Sequence, residues 1–375
     1  MSHICVHSHV GVNLANSTGR LRPCCKFENV WDMPSIFDVD TLDNLHTRSE
    51  YTQLQSELST DIWPSPCSVC ERSEATGIES RRQFTNRIFT EHNLLYEEGY
   101  IQDLEISLDY TCNMMCRMCA PGASSKWGAA TSVIKQFNDA GIELDTHTEY
   151  KSYQDQFYKV FSNTNLSRAR HVKIEGGEPF YARHFEWFLD KLDLEVIDKS
   201  KLFLNIITNA SVYPKDELLE KLAKFDTTIT FSIDAYGALA SCLRWGVNWE
   251  EIESNIRKWM QHANQFNLMT NITVSILNVN MMTPLINFCN SITLLMSFSE
   301  LTNPEYLSMY QLPLELRKQW ANGISNFDEL LLADINFTPQ LKKLLDSTRI
   351  LDNYQGINFA VVNPQMMEII NANIR

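Results

Sequence analysis

The sequence has no cluster of positive charge. Its 375 residues carry 32 lysines and arginines against 46 aspartates and glutamates, for a formal net charge of −14. Binding to a nucleic-acid backbone depends on grouped positive charge, so this composition argues against DNA or RNA as a partner. We therefore expect no nucleic-acid partner.

Long apolar runs are also missing. The most apolar late segment, 285–296, is interrupted by Asn287, Asn290 and Ser291 and is too short to cross a bilayer. The first twenty residues lack the basic start, apolar stretch and small-residue cleavage site of a secretory signal. We therefore expect no membrane partner and a cytoplasmic location.

Cysteine, in contrast, is frequent and unevenly placed. Eight of the ten cysteines fall within the first 119 residues. A disulfide framework is rare in a cytoplasmic protein, so this crowding indicates metal ligation. Cys242 and Cys289 have no partner at ligand spacing, and we interpret both as buried packing residues.

Three segments differ in their apolar pattern. Residues 1–95 hold five cysteines and little regular periodicity, with a predicted hairpin turn at 16–19 between His7–Leu14 and Arg20–Phe27. Residues 96–300 alternate strand patterns with helix patterns, and residues 301–375 form a mostly helical extension. We therefore predict a small cysteine-rich N-terminal module, a central α/β domain and a C-terminal extension.

Apolar residues in the central segment recur with two different periods, one typical of strands and one typical of helices. Leu104, Ile106 and Leu108 alternate with polar residues, which is typical of a strand. Strands that alternate with helices predict a parallel sheet with helical crossovers, either open or closed into a partial or full barrel. The further predicted strands are 171–175, 202–208, 227–234 and 271–279, and the predicted helices are 149–162, 180–192, 215–225 and 249–266.

A loop with three cysteines follows the first predicted strand directly. Cys112, Cys116 and Cys119 have the spacing C-x3-C-x2-C, and thiolates are ligands of both zinc and iron–sulfur clusters. A structural zinc site normally has four protein ligands, and this loop offers no obvious fourth. Three thiolates on a four-iron cube leave one iron open for a chelating ligand.

Polar residues stand at the carboxyl ends of the other predicted strands. In parallel α/β folds the loops at that edge converge on one crevice, so we expect a single active site there. These residues are Gly176, Gly177, Glu178, Thr208, Asn209, Ser232, Asp234 and Asn278.

With these motifs the sequence resembles the radical S-adenosylmethionine (SAM) superfamily, whose fold is a partial (β/α)6 barrel. The resemblance implies that a [4Fe–4S] cluster on the three loop cysteines binds SAM, and that Gly176-Gly177-Glu178 receives its amino group. Ser232 and Arg244 would contact its carboxylate or ribose. The family usually has an aromatic residue beside the adenine where this sequence has Met118.

The N-terminal cysteines form a second constellation. A hairpin would bring Cys5 and Cys24 together, and Cys67 and Cys70 would add two thiolates, which saturate zinc and a four-iron cluster equally well. Other residues could substitute for one of these ligands, namely Cys25, His3, His7 and His9. The pattern resembles the twitch module, the half-length relative of the SPASM auxiliary-cluster domain, although that module normally follows the barrel.

Together these resemblances imply an enzyme that cleaves SAM reductively to a 5′-deoxyadenosyl radical, which abstracts hydrogen from a small metabolite or a peptide. The second [4Fe–4S] cluster would relay an electron during an oxidation or a bond-forming modification. An external donor such as flavodoxin or ferredoxin would supply electrons. Asp109, Glu175 and His184 are possible bases. Two alternatives stay open: a non-catalytic iron–sulfur electron carrier or redox sensor, and a zinc-stabilised binding module.

Overall fold

The computed structural model describes residues 3–373 except 16–17, 61, 76, 78, 92–93, 95, 147–149 and 336. The chain divides into two compact units. The first contains Met1–Tyr110, Thr148–Ile206 and Pro214–Thr227, and the second contains Thr111–His147, Ile207–Tyr213 and Thr228–Arg375. The predicted division at residues 95 and 300 stays a prediction.

The described residues form nine strands. In chain order they are β1 (Gly11–Leu14), β2 (Asp103–Ser107), β3 (Met115–Cys116), β4 (His171–Glu175), β5 (Phe203–Thr208), β6 (Asp226–Ser232), β7 (Arg244–Trp245), β8 (Asn267–Val274) and β9 (Leu295–Glu300).

The same residues form seventeen α-helices. In chain order they are α1 (His7–Val10), α2 (Ser49–Leu58), α3 (Ser68–Ala75), α4 (Arg81–Glu91), α5 (Ser125–Gly128), α6 (Thr131–Asp139), α7 (Tyr150–Asn163), α8 (Phe185–Glu195), α9 (Asp216–Leu222), α10 (Gly237–Leu243), α11 (Trp249–Met260), α12 (Met282–Ser291), α13 (Leu314–Arg317), α14 (Ser325–Leu332), α15 (Leu341–Gln355), α16 (Phe359–Val362) and α17 (Pro364–Asn373).

The first unit contains four parallel strands in the order β1-β2-β4-β5. Their register aligns Gly11 with Asp103, Asp103 with His171, and His171 with Phe203. Parallel neighbours need a crossover connection, and helices α7 and α8 lie in the connections from β2 to β4 and from β4 to β5.

Strand β2 is buried along its whole length although it carries two carboxylates. Asp103 accepts from Nδ1 of His171 at 2.8 Å and lies 3.1 Å from Nδ1 of His7, while Glu105 pairs with Arg81 at 2.8 Å. Burial alone would raise the pKa of Asp103, but His171 and His7 outweigh it and hold that pKa well below its usual range. The alternating pattern of β2 therefore reflects paired buried charges and not an exposed face.

The second unit has three further parallel strands in the order β6-β8-β9. The register aligns Thr228 with Asn267 and Met269 with Leu295. A separate two-stranded antiparallel ladder joins β3 to β7. Parallel strands connected through helices in both units confirm the predicted α/β fold class.

The predicted strands agree with the structure to within a few residues, with one exception. The strand predicted at 271–279 is β8, which begins at Asn267 and ends at Val274. Strand β9 was not predicted, because its first residues continue the apolar segment that begins inside α12. Sequence patterns define an element's interior better than its ends.

The predicted N-terminal hairpin is present only as a single antiparallel bridge between its two arms, from Asn13 to Arg22, and not as two full strands. The segment His7–Leu14 is a short helix followed by β1, and β1 pairs with β2. Outside the named strands, the described residues form only two isolated antiparallel bridges, from Asn13 to Arg22 across the turn and from Arg20 to Ser35 after it. Half of the predicted turn, residues 16 and 17, lies outside the described residues.

Within the described ranges, the structure contains no helix that is both long enough and apolar enough to span a membrane.

A buried histidine in the first unit makes stability depend on pH. Nε2 of His46 donates a hydrogen bond to the Gly11 carbonyl at 2.9 Å. The His46 ring packs edge-on against Tyr51. Burial, and to a smaller extent His9, lowers the pKa of His46 to about 4, although the Gly11 bond opposes this shift. Between about pH 6.5 and pH 4, His46 is therefore protonated in unfolded chains but not in folded chains.

We expect the free energy of unfolding to fall by about 3 kcal/mol through His46 as the pH is lowered from 6.5 to 4. Replacing His46 with Gln should remove this part of the pH dependence, because glutamine does not titrate. Urea unfolding at pH 6.5, 5.5 and 4.5 measures the slope, with His262→Gln as the control. An equal slope in wild type and His46→Gln would contradict the prediction.

Candidate metal centres

The three-cysteine loop lies in the second unit and is held by its own backbone. Strand β3 pairs with β7 so that Cys116 stands opposite Arg244. The Cys119 amide donates to the Cys116 carbonyl at 3.1 Å, and the Cys112 amide donates to Oγ of Ser125 at 3.0 Å. Pairing and turns therefore determine the path of the chain through all three cysteines.

Two residues just after the loop donate hydrogen bonds to its backbone carbonyls. Trp127 is buried and donates from Nε1 to the Cys116 carbonyl at 2.8 Å, and Ser124 donates from Oγ to the Met114 carbonyl at 2.7 Å. Sequence analysis missed both residues. The Ser124 side chain also caps the start of helix α5. A serine just before a helix is a common capping residue, and this pattern could have drawn attention to Ser124.

Gly246 is a further residue that sequence analysis missed. Its φ is +134°, and a Cβ atom there would lie 2.5 Å from the Asn113 carbonyl and 3.1 Å from the Met114 Cα. Only glycine permits this close approach between the chain after β7 and the metal loop.

Two of the predicted cofactor-binding residues lie beside loop sulfurs. Nδ2 of Asn209 is 3.9 Å from Sγ of Cys112 and also donates to Oδ1 of Asn113 at 3.0 Å. Nη1 of Arg244 is 3.9 Å from Sγ of Cys116. An amide and a guanidinium therefore face the sulfur atoms.

Arg244 is oriented by a buried carboxylate. Asp234 accepts from Nε of Arg244 at 2.7 Å and pairs with its Nη2 at 2.6 Å, while its second oxygen accepts from the Thr273 amide at 2.8 Å. Asn278 donates to the backbone carbonyls of Asp234 and Thr273 at 2.9 and 2.8 Å. Both side chains therefore support the position of Arg244.

The remaining predicted residues of the second unit are partly engaged in local contacts. Oγ1 of Thr208 accepts from the Ala210 amide at 3.2 Å, while Ser232 ends β6 and Met118 is partly exposed. Their predicted contacts with a cofactor stay predictions.

Burial governs the chemistry of the loop thiols. It raises the pKa of Cys119 to about 11, with the neighbouring Cys112 adding to the shift. Burial also raises the pKa of Cys116, although the Arg244 cation opposes it. Such thiols ligate a metal only after losing a proton, and three thiolates with a nearby cation suit a sulfur-preferring iron cluster.

The Gly-Gly-Glu motif lies in the first unit. Gly176 and Gly177 have φ values of +80° and +49°, and a Cβ on Gly176 would lie 2.0 Å from Oγ of Ser107. Glu178 is fully buried and accepts from the Phe180 amide at 3.3 Å, which caps the following 3-10 turn. The glycines are therefore required by the backbone whatever the motif binds.

The N-terminal quartet of cysteines comes together in the first unit. Cys5, Cys24, Cys67 and Cys70 all line one small cavity of about 20 Å³. Burial, with the Cys70 thiol adding to it, raises the pKa of Cys5 to about 12, and burial followed by Cys5 and Cys70 raises the pKa of Cys67. The four cysteines therefore share one cavity, and their role as ligands of an auxiliary site stays a prediction.

Cys25 does not line that cavity. Its amide donates to Oε2 of Glu105 at 3.1 Å, and its thiol lies near Arg81 and Lys173. Burial, and then Glu105, raises the pKa of the Cys25 thiol to about 12. Of the two adjacent cysteines, Cys24 is the one that lines the cavity with Cys5, Cys67 and Cys70.

The three histidines that could replace a thiolate have other contacts. His3 stacks on Trp63 with ring centroids 4.2 Å apart, and Nδ1 of His9 bonds the Tyr96 hydroxyl at 3.0 Å. His7 does line the cavity, but its ring nitrogens contact Asp103 and Thr85. Across the described residues, no group of three or more His, Cys, Asp or Glu side chains is arranged to hold a single metal ion.

Cys242 and Cys289 are both fully buried. Burial raises the pKa of Cys242 to about 11 and that of Cys289 to about 12. Both positions match the expectation of packing residues.

The possible bases have partners within the first unit. Asp109 accepts from Gln154 at 2.9 Å and from the Arg183 amide at 3.1 Å. Glu175 pairs with Lys173 at 2.6 Å. Burial lowers the pKa of His184, whose ring stacks on Tyr158.

Comparison with known proteins gives structural likenesses only. No protein-family model matches the sequence, and no curated protein matches it. The chain is similar to anSMEcpe with bound AdoMet and Cp18Cys peptide, at 12% identity and a TM-score of 0.37 over 67% of this chain and 59% of that one. It is also similar to Streptococcus suis SuiB bound to S-adenosylmethionine, at 18% identity and a TM-score of 0.37 over 78% and 60%.

A second SuiB structure, bound to the precursor peptide SuiA, matches at 17% identity and a TM-score of 0.37 over 78% of this chain and 60% of that one. The present chain therefore spans about 60% of the length of these solved chains.

Proposed function

We propose that this chain is a radical SAM enzyme with a [4Fe–4S] cluster on Cys112, Cys116 and Cys119. The observation that carries the proposal is the pair of contacts at those sulfurs, Asn209 to Cys112 and Arg244 to Cys116, each at 3.9 Å. Three thiolates leave one iron of a cube without a protein ligand. When bound, the cluster and SAM supply one-electron cleavage of a sulfonium and hydrogen abstraction from the substrate.

The residues around the loop hold and orient the charged parts of the ligand. Arg244 keeps a positive charge beside Cys116, because Asp234 binds two of its nitrogens and leaves Nη1 directed at the sulfur. A fixed guanidinium suits a carboxylate such as that of SAM, since the charge-assisted bonds are short and directional. Asn209 orients the Cys112 side of the loop through its bond to Asn113.

The loop residues also exclude water. Met114, Met115 and Cys116 are all buried, and Trp127 is buried beneath them. Exclusion of water strengthens the electrostatic contacts and protects a reactive species from side reactions.

The N-terminal quartet is proposed to hold a second [4Fe–4S] cluster. Four thiolates saturate such a cluster, so it would relay an electron and would not bind the substrate. The reaction class is then a two-electron oxidation or a bond-forming modification of a small metabolite or a peptide. An external one-electron donor, such as flavodoxin or ferredoxin, is required.

Anaerobic reconstitution tests the proposal. We expect about eight iron and eight sulfide per chain for two cubes, and 5′-deoxyadenosine after reduction with dithionite in the presence of SAM. Zinc without sulfide would instead identify a zinc-stabilised binding module. Iron and sulfide without 5′-deoxyadenosine would identify an electron carrier or redox sensor.

A further inference from the structure

We propose that the end of helix α15 positions the metal loop, with Asp352 and Gln355 as positioning residues that grip the chain on both sides of Cys116. This inference rests on the proposed function of the loop. It concerns the C-terminal segment, in which the sequence showed only helix-like patterns. All the residues involved belong to the second unit.

Arg117 follows the ligand Cys116 directly, and its side chain is only 1% exposed. Its Nη2 pairs with Oδ1 of Asp352 at 2.5 Å, and its Nε donates to the Cys242 carbonyl at 3.1 Å. The guanidinium also lies 5.8 Å from the ring centroid of Phe359. A long cationic side chain is thereby held within the protein beside the predicted metal ligands.

Gln355 contacts the residue that precedes Cys116. Its Nε2 donates to the Met115 carbonyl at 3.2 Å, and the residue is buried. Asp352 and Gln355 are three residues apart and so lie on one face of α15. One helical turn therefore contacts the residue before and the residue after Cys116.

Asp352 is itself restrained by the end of the helix. Its second oxygen accepts from the Phe359 amide at 3.0 Å, and its carbonyl accepts from the Gly356 amide at 2.9 Å. Gly356 has a φ of +68° and ends α15. The carboxylate therefore cannot move without disturbing the helix end and the chain that follows it.

The Arg117 guanidinium is a buried cation, and its Nη1 has no hydrogen-bond partner among the described residues. The one carboxylate that pairs with this guanidinium in the described part of the chain is Asp352, at Nη2. Removing that partner leaves a buried charge uncompensated, which is strongly destabilising locally. The guanidinium would then move toward water and pull the backbone of Cys116 with it.

The test compares Asp352→Asn with Asp346→Asn. Asp346 is on the same helix, and its carboxylate lies 3.7 Å from the exposed Arg349, so this control loses a carboxylate of α15 that does not contact the loop. Hydrogen exchange of the peptide 112–119 is followed by mass spectrometry in metal-free and reconstituted protein. The EPR spectrum and midpoint potential of the loop cluster are measured in the reconstituted samples.

We expect Asp352→Asn to speed exchange of the loop amides about tenfold and to change the EPR spectrum of the loop cluster, with other peptides unaffected. Asp346→Asn should match wild type. Restoring the carboxylate as Asp352→Glu should recover part of the protection. If Asp352→Asn does not fold, Gln355→Met decides, because it removes only the bond to Met115 and should speed loop exchange by about threefold.

Loop exchange and EPR spectra equal to wild type would overturn the inference. Uniform acceleration of every peptide with an unchanged EPR spectrum would overturn it as well, since that is the result of a purely structural role. Failure of the wild-type loop to bind iron would refute the proposed function, whereas the exchange result on metal-free protein would still decide on the positioning role.

Discussion

Cys112→Ala is expected to abolish SAM cleavage, with 5′-deoxyadenosine formation below about 1% of wild type. Cys112 is one of only three thiolates in the loop, and its loss leaves two protein ligands for a four-iron cube. The loop cluster should be lost, so that iron falls from about eight to about four per chain while the N-terminal cluster is retained.

Iron, sulfide and 5′-deoxyadenosine are measured on anaerobically reconstituted protein, with Cys289→Ala as the control. Cys289 is buried in helix α12, and its removal tests loss of a thiol without loss of a predicted ligand. If Cys112→Ala still produced 5′-deoxyadenosine at the wild-type rate, the three-cysteine site would not be the site of cleavage.

Cys67→Ala is expected to have the second largest effect, of a different kind. The variant should still cleave SAM but form no product, because the N-terminal quartet would lack one of its four sulfurs and could not relay an electron. Its iron content should again fall by about four per chain. Cys112→Ala should therefore lose SAM cleavage, whereas Cys67→Ala should lose only the later step that forms product.

The matched control for Cys67→Ala is Cys25→Ala. Cys25 adjoins Cys24, a proposed ligand of the quartet, but lies outside the cavity that the quartet lines. We expect Cys25→Ala to keep about eight iron per chain. Cleavage is followed as 5′-deoxyadenosine, and product is sought by mass spectrometry after incubation with peptide and metabolite fractions of a cell extract. Unchanged product formation in Cys67→Ala would remove the N-terminal cluster from the mechanism.

Local patterns predicted most of the secondary structure near the site. Strand β4 has the predicted bounds, and β5 and β6 differ from the predicted strands by one or two residues at their ends. The N-terminal segment differs from the predicted hairpin, of which only the Asn13–Arg22 bridge forms, for a physical reason. Residues 11–14 have a strand pattern that does not reveal its partner, and the partner is β2, about ninety residues later in the chain.

The roles of individual strand-end residues were harder to predict. Asn209 and Arg244 lie next to loop sulfurs, whereas Asp234 and Asn278 are buried supports of Arg244. All four are polar residues that the sequence predicts at one cofactor site, and their sequence positions alone do not separate contact from support. The distinction depends on side-chain direction, which the surrounding packing determines.

The amino-acid sequence by itself determined the two cysteine sets, the order of strands and helices in the central segment, and the absence of any basic cluster. Spacing and periodicity are local properties, so they can be read along the chain. Tertiary structure alone decided that Cys24 and not Cys25 lines the cavity shared by Cys5, Cys67 and Cys70, and that Asp352 pairs with Arg117 from 235 residues away. Such pairings depend on how distant segments pack, because burial forces each charged or polar group to find a partner wherever the fold supplies one.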